Sequence, residues 1–259
     1  MCKKWLKSIV SALVLGFCLV SVAQAVEPVA HWTFDELEVV DANDPNDPNA
    51  TIVIVPDSSD NGYDGVLTGE YALVDGVIGG ALNFNALGVI NVPVEAWNDN
   101  ILEGYTVSFW AFTEVDHKNV PMAAQYLVDG TQRRNFGCHT PHKNGWVYFD
   151  TRRVPESGYP YQRILAGPVR EAAYGKWVFW TFVYEPNRQE IWLDGELGIG
   201  VYGYLTGDGT APVAQDTTEF SIGANADGSW GFIGSMDDVR LYDVALAGEE
   251  IQAVFENSI

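Results

Sequence analysis

Asp57, Ser59 and Asn61 alternate as oxygen-bearing side chains in the run Asp57-Ser-Ser-Asp-Asn-Gly-Tyr-Asp-Gly65, and Gly62 follows them. Such an arrangement lets a tight loop turn its oxygens inward around a hard cation at ~2.3–2.6 Å. Asp64 adds a carboxylate. The same side chains also cap turns by bonding to nearby backbone, so a calcium loop and a self-capped turn both stay open. Repulsion separates them: carboxylates that converge raise one another's pKa or demand a cation. An EF-hand is excluded, because the β-branched run 51–55 ends at Pro56 and the twelfth loop position is Thr68, where a bidentate Glu is required. The acidic insertion 41–49 reads as a solvated surface loop.

A second set of residues offers ring faces and cations. Sugars are recognised largely by stacking of C–H faces on aromatic rings, with polar groups fixing the hydroxyls. Trp97, Trp146 beside Lys143 and Asn144, Tyr159, Tyr161 and Trp230 all fall in or beside Gly-, Pro- and Asn-rich stretches. Arg152, Arg153 and Arg163 share the middle stretch; they could receive an acidic or sulfated sugar, or offset neighbouring carboxylates. For each ring, packing beneath a loop is the competing role. Nucleophilic chemistry is poorly supplied: Cys138 and His139 are adjacent, and neighbours on a strand point to opposite faces. His139, His142 and Asp150 are suitable transition-metal ligands, yet no Cys-x-x-Cys or His-x-x-x-His spacing supports them. The histidines read as loop and strand-edge residues, and Cys138 as a buried inert thiol.

These groups need a scaffold, and composition bounds it. The chain has 259 residues, is 47% hydrophobic and 13% aromatic, and carries a formal charge of −21. That apolar fraction excludes a disordered acidic tail, and the length suits one domain. The charge repels phosphate backbones and anionic lipid surfaces, which disfavours nucleic acid and polybasic membrane binding. Lys3, Lys4 and Lys7, the uncharged apolar run 9–22 and Ala23-Gln-Ala25 form a secretory signal pattern cleaved after residue 25. Cleavage removes those three lysines and takes the charge from −21 to −24. Cys2 and Cys18 leave too, so Cys138 has no disulfide partner within the mature chain. An exported product, periplasmic, cell-surface or extracellular and with no membrane insertion after cleavage, is expected.

Along residues 26–259 nearly every apolar run is short and bounded by Gly, Pro, Asn or Asp, which predicts β-structure throughout. Strands are predicted at 31–35, 51–55, 81–84, 88–92, 105–112, 125–128, 146–150, 177–184, 190–193, 219–222 and 236–242. Asp194-Gly195 predicts a hairpin turn. Helical spacing appears in the last segment, 248–256, where Ile251, Val254 and Phe255 share a face. Runs 105–112 and 177–184 are apolar on both faces, as central strands of a covered sandwich are. The predicted fold is all-β: an antiparallel two-sheet jelly-roll sandwich with a short C-terminal helix.

An ordered series of motifs sharpens this: Trp32-Thr-Phe-Asp-Glu, the 57–65 loop, Gly76-Val-Ile-Gly-Gly-Ala-Leu-Asn-Phe84, Tyr105-Thr-Val-Ser-Phe-Trp-Ala, Gly175-Lys-Trp-Val-Phe-Trp-Thr-Phe-Val, Ile191-Trp-Leu-Asp-Gly195 and Phe232-Ile-Gly-Ser-Met-Asp-Asp-Val-Arg-Leu-Tyr242. Across residues 30–256 the series resembles the LamG-like domain of the concanavalin A-like lectin/glucanase superfamily in exported bacterial proteins. The resemblance implies a jelly roll, frequent calcium binding, and roles in carbohydrate binding or adhesion to cell-surface proteins. Carried over position by position, it nominates Asp35, Asp57, Asn61, Asp64 and Asp238 for calcium, with Asp237 as a substitute for Asp238. The superfamily's glucanases use Glu-x-Asp-x-x-Glu on one strand; here Glu190 is followed by Trp192 and Gly195 at the two partner positions. The expectation is a secreted, calcium-stabilised, non-catalytic glycan-binding module, with Trp97, Trp146, Arg152, Tyr159, Tyr161 and Trp230 as candidate ligand contacts. A protein-interaction module is the alternative, and a glycoside hydrolase a third reading.

Overall fold

The computed structural model describes residues 26–42, 47, 49–152, 161–198, 204–206 and 210–259. The expected leader at 1–25 and Tyr159 lie outside the described residues. In chain order the first strands are β1 (Ala30–Trp32), β2 (Glu38–Asp41), β3 (Thr51–Val55), β4 (Gly65–Thr68), β5 (Ala72–Asp75), β6 (Gly80–Asn83) and β7 (Val89–Val92). Helix α1 (Glu95–Asn98) precedes β8 (Tyr105–Thr113), β9 (Met122–Val128), β10 (Thr131–His139), β11 (Val147–Thr151) and β12 (Gln162–Ala166). After α2 (Arg170–Ala173) come β13 (Trp177–Glu185), β14 (Arg188–Leu193), β15 (Glu196–Leu197), β16 (Tyr204–Thr206), β17 (Glu219–Ile222) and β18 (Gly234–Tyr242), and the chain closes with α3 (Gly248–Glu256).

These strands form two antiparallel sheets. One runs β15-β14-β13-β8-β18-β6-β5 with β1 also on β18; the other, of ten strands, runs β16-β12-β11-β10-β9-β17-β7-β4-β3-β2. Their inner faces meet through aromatic rings: Trp32 stands edge-on to Phe220 at 6.2 Å, and Phe182 reaches Phe149 at 5.3 Å and Phe136 at 6.1 Å. Tilted and edge-to-face pairs of this kind add to the area burial that drives sheet-on-sheet packing.

β8 and β13 are buried on both sides because α3 covers their outer face. Phe255 lies 5.8 Å from both Trp110 and Phe179, and Ile251 joins Val183, Tyr242 and Leu246 in a second small core. Asp194 (φ 49°) and Gly195 (φ 75°) make the turn between β14 and β15, and two consecutive positive φ angles are what a tight hairpin requires. No helix among the described residues is long and apolar enough to cross a membrane.

β2 pairs with β3 as far as Asp41 opposite Thr51, on either side of the expected 41–49 surface loop, of which residues 43–46 and 48 lie outside the described residues. One segment differs from the sequence expectation. β10 is a nine-residue strand through Asn135 and Gly137, residues with poor strand propensity. It holds its place because Phe136 and Cys138 drop into the core, while a register shift between Arg134 and Phe136 turns Arg134 to the other side.

Candidate functional site

The outer face of the ten-stranded sheet carries a polar groove built by alternation. On β11, Val147 and Phe149 face the core, so Tyr148 and Asp150 face outward. Asp150 sits opposite Arg163 of β12 and opposite Gly137 of β10. A Cβ at Gly137 would come within 2.7 Å of Arg134 Cδ, so the bare glycine is what lets Arg134 lie across the sheet. Arg134 Nη1 then donates to Asp150 Oδ2 at 2.7 Å, and Arg163 donates through Nε to Oδ1 and through Nη2 to Oδ2 at 2.6 Å.

Asp150 has no exposed surface, yet it stays ionised. Burial alone would raise its pKa; the hydrogen bonds from Arg163 and the two guanidinium charges outweigh burial and hold it far below the usual carboxylate range. Arg163 is in turn clamped between Tyr148 and Tyr161, its guanidinium carbon 4.6 and 4.4 Å from the two ring centroids. His139 Nε2 accepts from Arg134 Nη1 at 3.0 Å, which places its proton on Nδ1, facing the Asn119 carbonyl. His139 is therefore neutral, its pKa lowered first by burial.

Trp230 closes the groove from above. It is 42% exposed, and its backbone sits at φ 58°, a region costly for a bulky side chain. The loop imposes this: Asn225 N–H donates to Ser229 O at 3.0 Å, Ser229 N–H to Asp227 Oδ1 at 2.9 Å, and Val120 N–H to Trp230 O at 2.8 Å. Beneath the ring lie His139 at 5.7 Å and His142 at 6.3 Å, with Arg134 5.8 Å and Lys118 Nζ 5.3 Å from its centroid. The groove has two lobes, 290 and 310 Å³, that share Tyr161, Arg163 and Trp230. Each is near the lower end of the ~300–1,000 Å³ range of small-molecule sites. Larger hollows of 510 Å³ near His31 and 920 Å³ near Phe255 lie elsewhere, without an exposed tryptophan in their walls.

The candidate ligand contacts therefore divide. Tyr161 and Trp230 meet in the groove. Trp97 does not: α1 carries it into the core, where it is fully buried, donates to Ala214 O at 3.0 Å and packs 4.8 Å from Tyr105. Arg152 is spent on a bidentate pair with Asp216 (2.6 and 2.9 Å) and lies over Tyr126, so its fork is not offered to a ligand. Trp146 is half-buried and lines neither lobe. Sequence reasoning passed over Lys118, Arg133, Arg134 and Tyr148. The signal was the alternation Tyr148, Asp150 with Arg163 on the neighbouring strand, a charge pair inside otherwise apolar strands.

The expected calcium donors do not converge either, and among the described residues no group of three or more His, Cys, Asp or Glu is placed to hold a metal. Asp57 is a self-contained cap: its oxygens accept from the N–H groups of His31, Ser59 and Tyr63 and from the Ser59 hydroxyl. Asp64 accepts from Asp57 N–H, and Asn61 donates to Val29 O. Asp238 faces His31 at 2.5 Å and Arg240 at 2.7 Å. Asp35 and Asp237 instead flank the 76–80 turn, Asp35 Oδ1 accepting from Gly80 N–H and Asp237 Oδ2 from Val77 and Ile78 N–H. Asp237 Oδ1 is buried without a partner among the described residues. Burial, with Asp238 and Asp35 adding to it against the two N–H groups, pushes its pKa up to about 7. That unsatisfied oxygen beside a second carboxylate suits a hard cation better than the 57–64 loop does.

Burial, followed by repulsion from His139, Arg163, Lys143 and Lys118, lowers the His142 pKa to about 4. In the unfolded chain a histidine titrates near ~6.5. Below that pH the unfolded state binds the proton first, so the stability due to neutral His142 is present above ~6.5 and lost as pH falls toward 4. Asp237 runs in the opposite sense, because its raised folded pKa favours the folded state as pH falls below about 7. The test is therefore a difference: the gap in unfolding free energy between wild type and His142→Asn is expected to narrow from pH 7.5 to pH 5 in urea melts. A constant gap would contradict the assignment.

Two antiparallel sheets packed as a sandwich place the chain in the jelly-roll class. The family model of the concanavalin A-like lectin/glucanases superfamily matches residues 84–252, and the chain belongs to that family. Comparison with curated proteins finds no match. Among solved structures, it is similar to domain 4 of AbnA, an extracellular GH43 arabinanase of Geobacillus stearothermophilus, in complex with arabinotriose. That match has 18% identity and a TM-score of 0.58, over 89% of this chain and 99% of that one. The binding domain of botulinum neurotoxin DC in complex with rat synaptotagmin II matches at 13% identity and a TM-score of 0.57, over 88% of this chain and 52% of that one. Trypanosoma rangeli sialidase matches at 15% and 0.56, over 87% of this chain and 32% of that one. The chain thus spans about half of the neurotoxin domain and a third of the sialidase. These identities establish a shared fold.

Proposed function

We propose that this chain is an exported, non-catalytic saccharide-binding module whose ligand lies in the groove under Trp230. The observation that carries the reading is Trp230 itself, an indole 42% exposed and held at φ 58° above a polar floor. An exposed, strained tryptophan is an expense that a packing role does not explain, and a ring face beside fixed polar groups is how sugars are bound. The arabinotriose seen with the AbnA domain is in keeping with it.

Two carboxylates support the non-catalytic part of this reading. Asp150, the acid in the groove, is fully buried and kept ionised by two arginines, so it has neither the access nor the proton of a general acid. Glu190 is held by Arg188 at 3.0 Å and by the Trp192 indole N–H at 2.8 Å. A structural calcium would be held by Asp35 and Asp237, whose carboxylates both bond to N–H groups of the 76–80 turn; it has no part in the groove.

A polysaccharide array run with and without calcium tests the reading: retention of a glycan supports it, and release of shortened products would replace it with the hydrolase. In the same samples, a chelator is expected to lower the melting midpoint by several degrees and added calcium to restore it. An unchanged midpoint removes the calcium. The second reading, a protein-interaction module, rests on β2, which is exposed along its length at the edge of the ten-stranded sheet, with Val39 65% exposed. An open edge can take a partner's strand. Protein-only partners on such arrays would favour it.

A further inference from the structure

The groove reverses the charge of the chain around it. The sequence holds 35 acidic residues against 14 Lys plus Arg, yet Lys118, Arg133, Arg134, Lys143 and Arg163 all line its two lobes. The buried floor is itself unbalanced, since one carboxylate, Asp150, serves two guanidiniums. Its histidine neighbour adds no compensating negative charge. Arg163 spends Nε and Nη2 on Asp150, which leaves Nη1 without a partner among the described residues. Lys118, Lys143 and Arg133 have no carboxylate partner there either, and the buried Arg133 Nε has no hydrogen-bond acceptor. Among the described residues, Glu219 accepts from Gln132 and Asp227 from Ser229 N–H, and neither forms an ion pair with these cations.

Surplus cations in a cleft of an acidic protein focus field and select anions. Trp230, with the Lys118 ammonium 5.3 Å from its ring centroid, adds a flat face directly beside a positive charge. We infer that the groove selects an anionic saccharide, a sugar ring bearing a carboxylate or a sulfate, which stacks on Trp230 while its charge is met by Lys118, Lys143 and Arg163. This inference rests on the glycan-binding reading and narrows it. A planar, unpartnered guanidinium nitrogen and two flexible ammonium groups suit either oxyanion.

The test uses the whole exported chain and three oligosaccharides of equal length: a neutral galactan, an oligogalacturonate and a sulfated galactan. At least one anionic probe is expected to bind ten-fold or more tightly than the neutral one, with affinity falling as salt rises. The arm that binds more tightly identifies carboxylate or sulfate. Lys118→Gln and Lys143→Gln are surface changes, each expected to weaken the anionic probe about three-fold, and about ten-fold together, a larger loss than the same variants cause for the neutral probe. Trp230-dependent binding of the neutral galactan at equal or higher affinity would overturn the inference and leave the glycan reading standing. Binding of none of the three, after an array with no retained glycan, would overturn both. An anionic probe whose affinity is untouched by the double lysine variant would also overturn it.

Discussion

Trp230→Ala is expected to weaken saccharide binding by about 30-fold or more, because loss of a central aromatic anchor commonly costs ~2 kcal/mol or more. The same substitution should move the unfolding free energy by no more than about 1 kcal/mol. Both halves follow from position. The ring is 42% exposed, so little core area is lost with it, and its backbone contact, Val120 N–H to Trp230 O at 2.8 Å, does not depend on the side chain. Titration calorimetry with a retained oligosaccharide, alongside a urea melt, reads the two effects separately. A large loss of stability would mean that Trp230 is a structural lid over Arg134 and His139. Unchanged affinity would mean that the ligand lies elsewhere.

Asp150→Asn is expected to do the reverse and act first on the fold. It removes the shared counter-ion of Arg134 and Arg163, whose side chains are 11% and 16% exposed, and leaves two poorly hydrated guanidiniums facing a neutral amide. Breaking a buried pair by removing one partner costs about 3–5 kcal/mol, or roughly 6–20 °C in midpoint for a domain of this size. Asp216→Asn is the matched control: it breaks the pair with Arg152, whose members are 23% and 48% exposed, and should cost about 1 kcal/mol or less. Thermal melts of both variants decide the matter. Equal small shifts would show that the Asp150 cluster is solvated and does not hold the groove in shape.

What the sequence disclosed depended on whether a residue's neighbours are local. The two-sheet sandwich followed from short, turn-bounded apolar runs, and the two-faced strands β8 and β13 are covered as such strands must be. Helix α3 occupies the very residues whose spacing predicted it. β10 stayed hidden because Asn135 and Gly137 contradict strand propensity and Arg133 and Arg134 interrupt the apolar alternation; Asp150, on the next strand, is what Arg134 pairs with. Trp97 looked like a loop ring because α1 is a single turn too short to leave a periodic signal; tertiary packing then took it inside. The acidic loop had the composition of a cation site, but its hydrogen bonds close on themselves. The unsatisfied carboxylate oxygen belongs instead to Asp237, across the strand bulge from Asp238, a distinction that sequence spacing does not encode.

The groove under Trp230 as a saccharide site is the claim on which the rest depends, and a crystal structure of the chain with an oligosaccharide retained on the array tests it most directly. The expected result is a sugar ring stacked on the Trp230 indole between Tyr161 and Lys118, with Arg163 Nη1 in contact with its polar substituents. A sugar seated instead in the hollow near His31 or the one near Phe255, with the Trp230 face left to solvent, would contradict the account.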